Sequence, residues 1–526
     1  MTALSGLLAI TLNSRWYRSL MAVLLGALAV AALPPFHVIP VLWLSFAGLA
    51  LLVISAKCWH QAAVEGWLFG LGWFGGGLYW IGYAFLVDAE RYAFLMPVAV
   101  IGVAAGMALY TALSVTIFYF TLKRFRTTAR VLIPAFAGSW ILGEWLRSWV
   151  LTGFPWNPLA SVWGFSPAMM QSAAWIGSLG LGFLTAMVFI APVLIIKSTD
   201  GPASKPMLKI LAVSMILPVL WVAGAWRTGD GAGLQTHDGI VLRLVQPAIP
   251  QALKWHPDLR QQHVLKQMAM SKRTAGPFGL PTHVIWAETN VPYLLDPDST
   301  LPAMLAAAVP PGGSLIFGAP RRDAAGDAYN SLFVINDNGK ITATFDKFHL
   351  VPFGEYVPLR AYLAFEKLTA GRGDFTPGPG PATLHNEGLP PFAAIICYEV
   401  IFPGHVVDRK DRPAWILNIT NDAWFGPSTG PRQHLVQAQL RAIEEGLPVV
   451  RVANTGISAL VDAYGRIRNR LELDEQGIVD APLPLPLAPT IFALYGQTTS
   501  LLFALIVILG SLLSQYVSGR STNRDL

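Results

Sequence analysis

Pro391-Phe-Ala-Ala-Ile-Ile-Cys-Tyr-Glu399 is a short apolar run that ends on a thiol and a carboxylate. A run of this length with paired isoleucines, preceded by prolines, reads as a buried strand delivering Cys397 to its end. It lies in a segment, about 227–491, whose other apolar runs are equally short and are separated by Gly, Pro, Asn and Asp. Candidate strands there are 239–245, 283–287, 314–318, 331–336, 341–346, 392–397, 415–420, 448–453 and 458–462. Helical patterns at 258–273, 300–308 and 434–445 alternate with them, so a sheet covered by helices is expected.

Outside that segment the chain changes character. Of 526 residues, 53% are hydrophobic and 13% charged, too apolar a balance for a soluble protein of this size. Stretches long enough to span a bilayer lie near 18–33, 38–55, 63–86, 93–122, 131–149, 168–196, 208–226 and 492–517. The first two are short, and Pro34-Pro35 between them also allows one re-entrant hairpin. The layout is a transmembrane domain over 1–226 with about seven spans, an extracytoplasmic domain over 227–491, and a C-terminal spanning helix with a tail over 492–526. A short polar linker is expected at 199–206. Pro34-Pro35-Phe36 is a poor cleavage site, so no removed signal peptide is expected.

The net charge of +6 is not gathered on the polar segment, so no nucleic-acid partner is expected. Arg15, Arg18, Lys57, Lys123, Arg124, Arg126, Arg130, Lys197, Lys205, Lys209, Arg520 and Arg524 fall in alternate loops, which the retention of basic residues inside assigns to the cytoplasm. Arg91 on the opposite side is offset by Asp88 and Glu90. Both termini are then cytoplasmic and 227–491 is outside, in the periplasm if the cell is bacterial. The two cysteines, Cys58 and Cys397, are separated by a membrane thickness in this topology and cannot pair. A lone thiol in an oxidising space is either a wanted nucleophile or a small buried hydrophobe.

Two further motifs bear on that choice. Trp286-Ala-Glu-Thr-Asn-Val-Pro292 places Glu288 just past a strand end. Phe345-Asp-Lys-Phe-His-Leu-Val-Pro-Phe-Gly-Glu-Tyr-Val-Pro358 sets Lys347 and Glu355 in an apolar, proline-rich loop, where charges are expected to pair in a shared polar cavity. Neither His349 nor His434 belongs to a ligand-spaced cluster, so no metal is expected. The glycines from Gly70 to Gly77 fall within a span and read as helix packing. Glu144 and Arg147, one helical turn apart, are expected to pair or to line a substrate entrance.

Glutamate, lysine and cysteine in this order at strand ends resemble the catalytic triad of the nitrilase superfamily. With Ile249-Pro-Gln-Ala-Leu-Lys-Trp255, Asn418-Ile-Thr-Asn-Asp-Ala-Trp-Phe-Gly426 and the flanking spans, the whole chain resembles the apolipoprotein N-acyltransferase family. The resemblance implies a polytopic helical membrane domain carrying an α/β nitrilase-like αββα sandwich in the periplasm, anchored in the bacterial inner membrane. It implies that Cys397 takes an acyl chain from the sn-1 position of a phospholipid as a thioester. The chain then passes to the α-amine of a diacylglyceryl-cysteine at an apolipoprotein N-terminus, in a ping-pong reaction without cofactors.

Residue roles follow from the same resemblance. Glu288 is the base, Lys347 faces the oxyanion together with the N–H after Cys397, and Glu355 orients the lysine. Tyr398 and Glu399 support the nucleophile, while Trp255, Asn330, Trp424 and Phe425 are expected at the substrates. Segment 369–374 is a further candidate. Trp424 and Phe425 read equally as a lid or as anchors at the lipid interface. A monomer is expected. A membrane-tethered nitrilase-like amidase, hydrolysing the same thioester, is the alternative, and a transporter is disfavoured by the scarcity of charges in the spans.

Overall fold

The structure, a computed structural model, describes residues 14–125, 128–197, 204–229, 235–274, 276–296, 299–358, 360 and 373–521. Residues 369–372 of the candidate segment and 199–203 of the linker lie outside them. The chain forms two compact units, one of Met1–Tyr79, Leu95–Gly229 and Tyr495–Leu526, the other of Trp80–Phe94 and Asp230–Leu494.

All regular secondary structure among the first unit's described residues is helical. Its main helices are Arg15–Ala29, Val41–Ile54, Trp59–Gly77, Met96–Arg124, Ala129–Arg147, Ala173–Ile190, Ser204–Ser214 continued by Ile216–Thr228, and Gln497–Ser521. Five helical stretches among the described residues are long and apolar enough to cross a membrane: Arg15–Ala32, Ala89–Arg124, Ala173–Ile195, Pro206–Thr228 and Gln497–Tyr516. A helix satisfies all but its terminal backbone N–H and C=O groups within itself, which is why apolar segments of this length fold this way in lipid. Glycines let two of these helices touch: a Cβ on Gly72 would collide with the Val23 carbonyl, and one on Gly26 with that of Phe69.

Buried polar side chains interrupt the apolar packing, Glu144 and Arg147 among them. Glu144 accepts hydrogen bonds from the Trp140 indole at 3.1 Å and the Leu159 amide at 2.9 Å, and Arg147 donates to the Phe154 carbonyl at 2.7 Å. Both side chains thus brace the chain that follows their helix. The span expected over 63–86 stops at Gly77, because Gly75-Gly76-Gly77 has little helix propensity. A 3-10 stretch, Tyr79–Leu86, follows.

The second unit contains two six-stranded sheets. The strands are β1 Thr236–Gln246, β2 His283–Trp286, β3 Ser314–Arg322, β4 Ala328–Asn336, β5 Ile341–Asp346, β6 Thr383–Asn386, β7 Leu389–Ile396, β8 Trp415–Thr420, β9 Val449–Ala453, β10 Ser458–Val461, β11 Ile467–Leu471 and β12 Gly477–Pro484. Their order is β12-β1-β2-β3-β4-β5 in one sheet and β11-β10-β9-β8-β7-β6 in the other.

Alternation along each strand builds the layers. Leu242 and Leu244 of β1, Ile285 of β2, Ile316 of β3 and Leu332 and Val334 of β4 pack with Phe392, Ala394 and Ile396 of β7 and Leu417 and Ile419 of β8 between the sheets. The intervening residues Val284, Trp286, Leu315, Phe317 and Phe333 face outward and pack with Val264 and Met270 of helix Arg260–Ser271. Helix Gly430–Glu445, buried along nearly all its length, covers the other sheet. The result is an αββα sandwich whose central strands, β2, β8 and β9 among them, are buried on both faces, hence their mostly apolar runs.

Candidate active site

Parallel pairing brings the carboxyl ends of β2 and β3 together, and β5, two antiparallel steps beyond β3, points the same way. Glu288 lies just beyond β2 and Lys347 directly follows β5. In the facing sheet Cys397 directly follows β7, which runs parallel to β8. All three side chains are buried, with Glu288 6%, Lys347 1% and Cys397 6% exposed.

The Lys347 ammonium stands between two carboxylates, 3.4 Å from Glu288 Oε1 and 2.9 Å from Glu355 Oε2. Asn330 on β4 donates its amide to both, at 2.8 Å to each. Glu355 also accepts the Val351 amide at 2.8 Å, which folds the loop after β5 back over the lysine. Burial works against the ammonium, but Glu355 and Glu288 together outweigh it, so its pKa is raised and it stays cationic.

Cys397 has a φ of +53°, a left-handed conformation that a non-glycine residue adopts only under constraint. Three contacts supply that constraint. Glu399 accepts backbone N–H bonds from Ile396 at 2.6 Å, Phe348 at 2.7 Å and His349 at 3.0 Å, tying the end of β7 to the loop that carries Lys347. Burial pushes the Glu399 carboxyl up to about 8, against the pull of these donors and of Lys347. The Cys397 carbonyl lies 3.2 Å from His434 Nε2. His434 in turn is 2.9 Å from Asp422, which is paired with Arg451 at 2.6 Å. Burial would raise the Asp422 carboxyl, yet Arg451 and His434 hold it well below the usual carboxylate range.

The thiol itself is pushed well above its ordinary pKa, by burial first and by the Glu288 charge second, with Lys347 opposing. It rests protonated beside a carboxylate and a cation. Such a site can deprotonate a thiol at the moment of attack and stabilise an oxyanion, the requirements of acyl transfer.

The pattern of an apolipoprotein N-acyltransferase N-terminal domain matches residues 25–191, and that of a carbon-nitrogen hydrolase matches residues 278–490. The chain is 38% identical to the apolipoprotein N-acyltransferase of Rhodopseudomonas palustris over 514 residues, covering 94% of this chain and 95% of that one. It is 41% identical to that of Bradyrhizobium diazoefficiens over 529 residues, covering 95% and 96%. The protein of the same name from Brucella melitensis is 37% identical over 507 residues, covering 91% and 92%.

The chain belongs to the apolipoprotein N-acyltransferase family. It is therefore an acyltransferase of the inner membrane, with a helical membrane domain and a nitrilase-like domain.

Within this N-acyltransferase the other residues singled out from sequence occupy distinct places. Asn330, expected at the substrate, lies between the two glutamates. Tyr398 packs edge-on against Phe402 at 5.1 Å and His349 at 5.6 Å. Trp255 is half-buried, and its carbonyl accepts from Arg260 at 3.2 Å. Trp424 and Phe425 are half-buried on the 3-10 turn Asp422–Phe425, and Phe425 contacts Trp80 with ring centroids 4.5 Å apart.

Sequence reasoning passed over several residues of the site. Asp422 and Arg451 carried a signal only in that Asp422 sits within the quoted Asn418–Gly426 motif, and His434 stood out only as a candidate metal ligand, not as a partner of Cys397. Lys254, likewise inside a quoted motif, is 1% exposed and donates to the Glu288 carbonyl and to Thr289 Oγ1, each at 2.9 Å.

Proposed function

We propose that this N-acyltransferase moves the sn-1 acyl chain of a phospholipid to the α-amine of an apolipoprotein's N-terminal diacylglyceryl-cysteine through a thioester on Cys397. The observation that carries the reading is the buried Lys347 ammonium, held between Glu288 and Glu355 at the strand ends that face the strained Cys397. In the first half-reaction Sγ attacks the ester carbonyl while its proton passes to the Glu288 carboxylate. The C–O bond breaks, and the leaving alkoxide takes that proton to depart as lysophospholipid. In the second, the amine attacks the thioester carbonyl, Glu288 accepts one amine proton, and the C–S bond breaks as the thiol is regenerated. Lys347 and the Tyr398 N–H meet the oxyanion in both, and Glu355 with Asn330 holds the lysine in line.

A phospholipid ester lies at the bilayer surface, so a catalytic domain set between spans meets its substrate without extracting it into water. The distribution of basic residues supports cytoplasmic termini and a periplasmic catalytic domain, and a single chain holds all the proposed groups.

The test is to incubate purified protein with phospholipid labelled in its sn-1 chain, follow label on the Cys397 peptide by mass spectrometry, and then add a diacylated lipopeptide. Label should appear on Cys397 with one lysophospholipid released, and then on the lipopeptide amine. Label released as free fatty acid in preference to amide would make the protein a hydrolase. Unchanged transfer by Cys397→Ala would remove the nucleophile assignment.

A further inference from the structure

Glu288 and Thr289 form the turn that leaves β2, and Thr289 adopts a φ of +47°. A β-branched residue in the left-handed region is costly, of the order of 1–3 kcal/mol, and persists only where its surroundings enforce it. Those surroundings are specific. On one side β3 approaches so closely that a Cβ on Gly318 would lie 2.5 Å from the Thr289 nitrogen. On the other, Gln267 donates to the Asn290 carbonyl at 2.9 Å, and Lys254 spans the turn itself, bonding the Glu288 carbonyl and the Thr289 hydroxyl.

Lys254 is an unusual choice for a brace. It is buried, both of its hydrogen-bond acceptors are neutral, and no ion pair to it is found among the described residues. Burial drives its ammonium down to about 7, with Glu288 first and Cys397 second opposing, so it lies within electrostatic reach of both reacting groups. An amine that loses its proton still keeps two N–H donors, enough for both bonds. It is followed directly by Trp255, so the segment Gln251–Lys254 connects a half-buried aromatic to the turn that bears the carboxylate.

We propose that Lys254 is a positioning residue for acyl transfer: by clamping the left-handed Glu288–Thr289 turn, it fixes the Glu288 carboxylate in its bonds to Lys347 and Asn330. The proposal rests on Glu288 being the proton acceptor. Without the clamp the turn relaxes, the carboxylate swings away from the thiol, and the chemical step slows although the lipid still binds.

The experiment measures single-turnover acylation of Cys397 by phosphatidylethanolamine in detergent micelles, over a range of lipid concentrations, with melting temperatures recorded for each variant. Lys254→Met should lower the maximal acylation rate by about tenfold or more while half-saturation stays within about twofold, the pattern of a loss confined to the transition state. Thr289→Val, which keeps the β-branch and removes one acceptor, should lower it by about threefold. The double variant should be no slower than Lys254→Met alone, since both changes break one clamp.

Wild-type rates in a folded Lys254→Met protein, a loss seen only in half-saturation, or losses that multiply in the double variant would each overturn the proposal. Should Lys254→Met fail to melt cooperatively, Thr289→Val decides alone, and an unchanged rate in it is fatal. Glu288→Gln run alongside separates the two readings: full acylation in that variant removes Glu288 as the base, whereas its loss together with a normal Lys254→Met removes only the clamp.

Discussion

At the residue scale the site depends on two left-handed residues, Thr289 beside the proposed base and Cys397 as the proposed nucleophile. Both conformations are imposed from outside, so small changes in what touches them should act on chemistry before stability. Gly318→Ala sets a methyl 2.5 Å from the Thr289 nitrogen and 2.7 Å from the Glu288 Cα. Overpacking of this kind costs about 1–3 kcal/mol. Displacement of the turn should also slow Cys397 acylation by about tenfold or more in a protein that still melts cooperatively, a comparison of rate against melting temperature that tests it. Lys347→Met removes the proposed oxyanion donor, and a loss of about 3 kcal/mol in the barrier, roughly a hundredfold in acylation rate, is expected in the same assay.

At the element scale two features of the first sheet control its stability. Arg243 on β1 forms a two-pronged ion pair with Asp480 on β12, at 2.8 and 2.7 Å, and donates further to the carbonyls of Ser271, Arg273 and Thr274. Arg243→Met leaves Asp480 buried without its cation and should cost about 3–5 kcal/mol, read as a drop in melting temperature that Asp480→Leu in the same chain partly restores. His283 on β2 is 2% exposed, and burial pulls its imidazole down to about 4 from an ordinary 6.5. A folded pKa below the unfolded one means that its contribution is present above pH 6.5 and is lost as the pH falls toward 4, about 3 kcal/mol in all. His283→Gln, which does not titrate, should flatten the fall in melting temperature across that window.

At the scale of the whole molecule, residues Trp80–Phe94 lie between two helices of the membrane unit in sequence but belong to the catalytic unit. Trp80 meets Phe425 and packs against Gly430, where a Cβ would stand 3.1 Å from its indole, and a Cβ on Gly426 would collide with Tyr83. The turn Asp422–Phe425 and the start of helix Gly430–Glu445 are thus backed by a loop that hydropathy assigns to a span. Trp80→Ala removes a buried aromatic and should cost about 3 kcal/mol or more of local stability. The expected outcome is faster amide hydrogen exchange over residues 422–434 with the strands unchanged. Equal protection throughout would show that the loop does not brace this turn.

Much of this was legible in the sequence because the relevant signals are short-range. An apolar run of bilayer length dictates a helix wherever it lies, and β2, β3, β7, β8 and β9 were readable because strands buried on both faces form nearly continuous apolar runs, while β5 was readable from its β-branched and aromatic residues. The weaker strands β6, β11 and β12 were missed, since they are mixed in polarity and partly exposed, and only their sheet neighbours make them strands. Glu288, Lys347 and Cys397 stood out as charges or thiols next to apolar runs. The clamp by Lys254, the bridging by Asn330, the brace from His434 and Asp422, and the recruitment of Trp80–Phe94 did not, because each is a contact between residues distant in the chain. Sequence alone settled which chemical groups exist and which segments are too apolar for water. Only the folded chain, by crossing strands from separate motifs at one sandwich edge, decided which of those groups can touch.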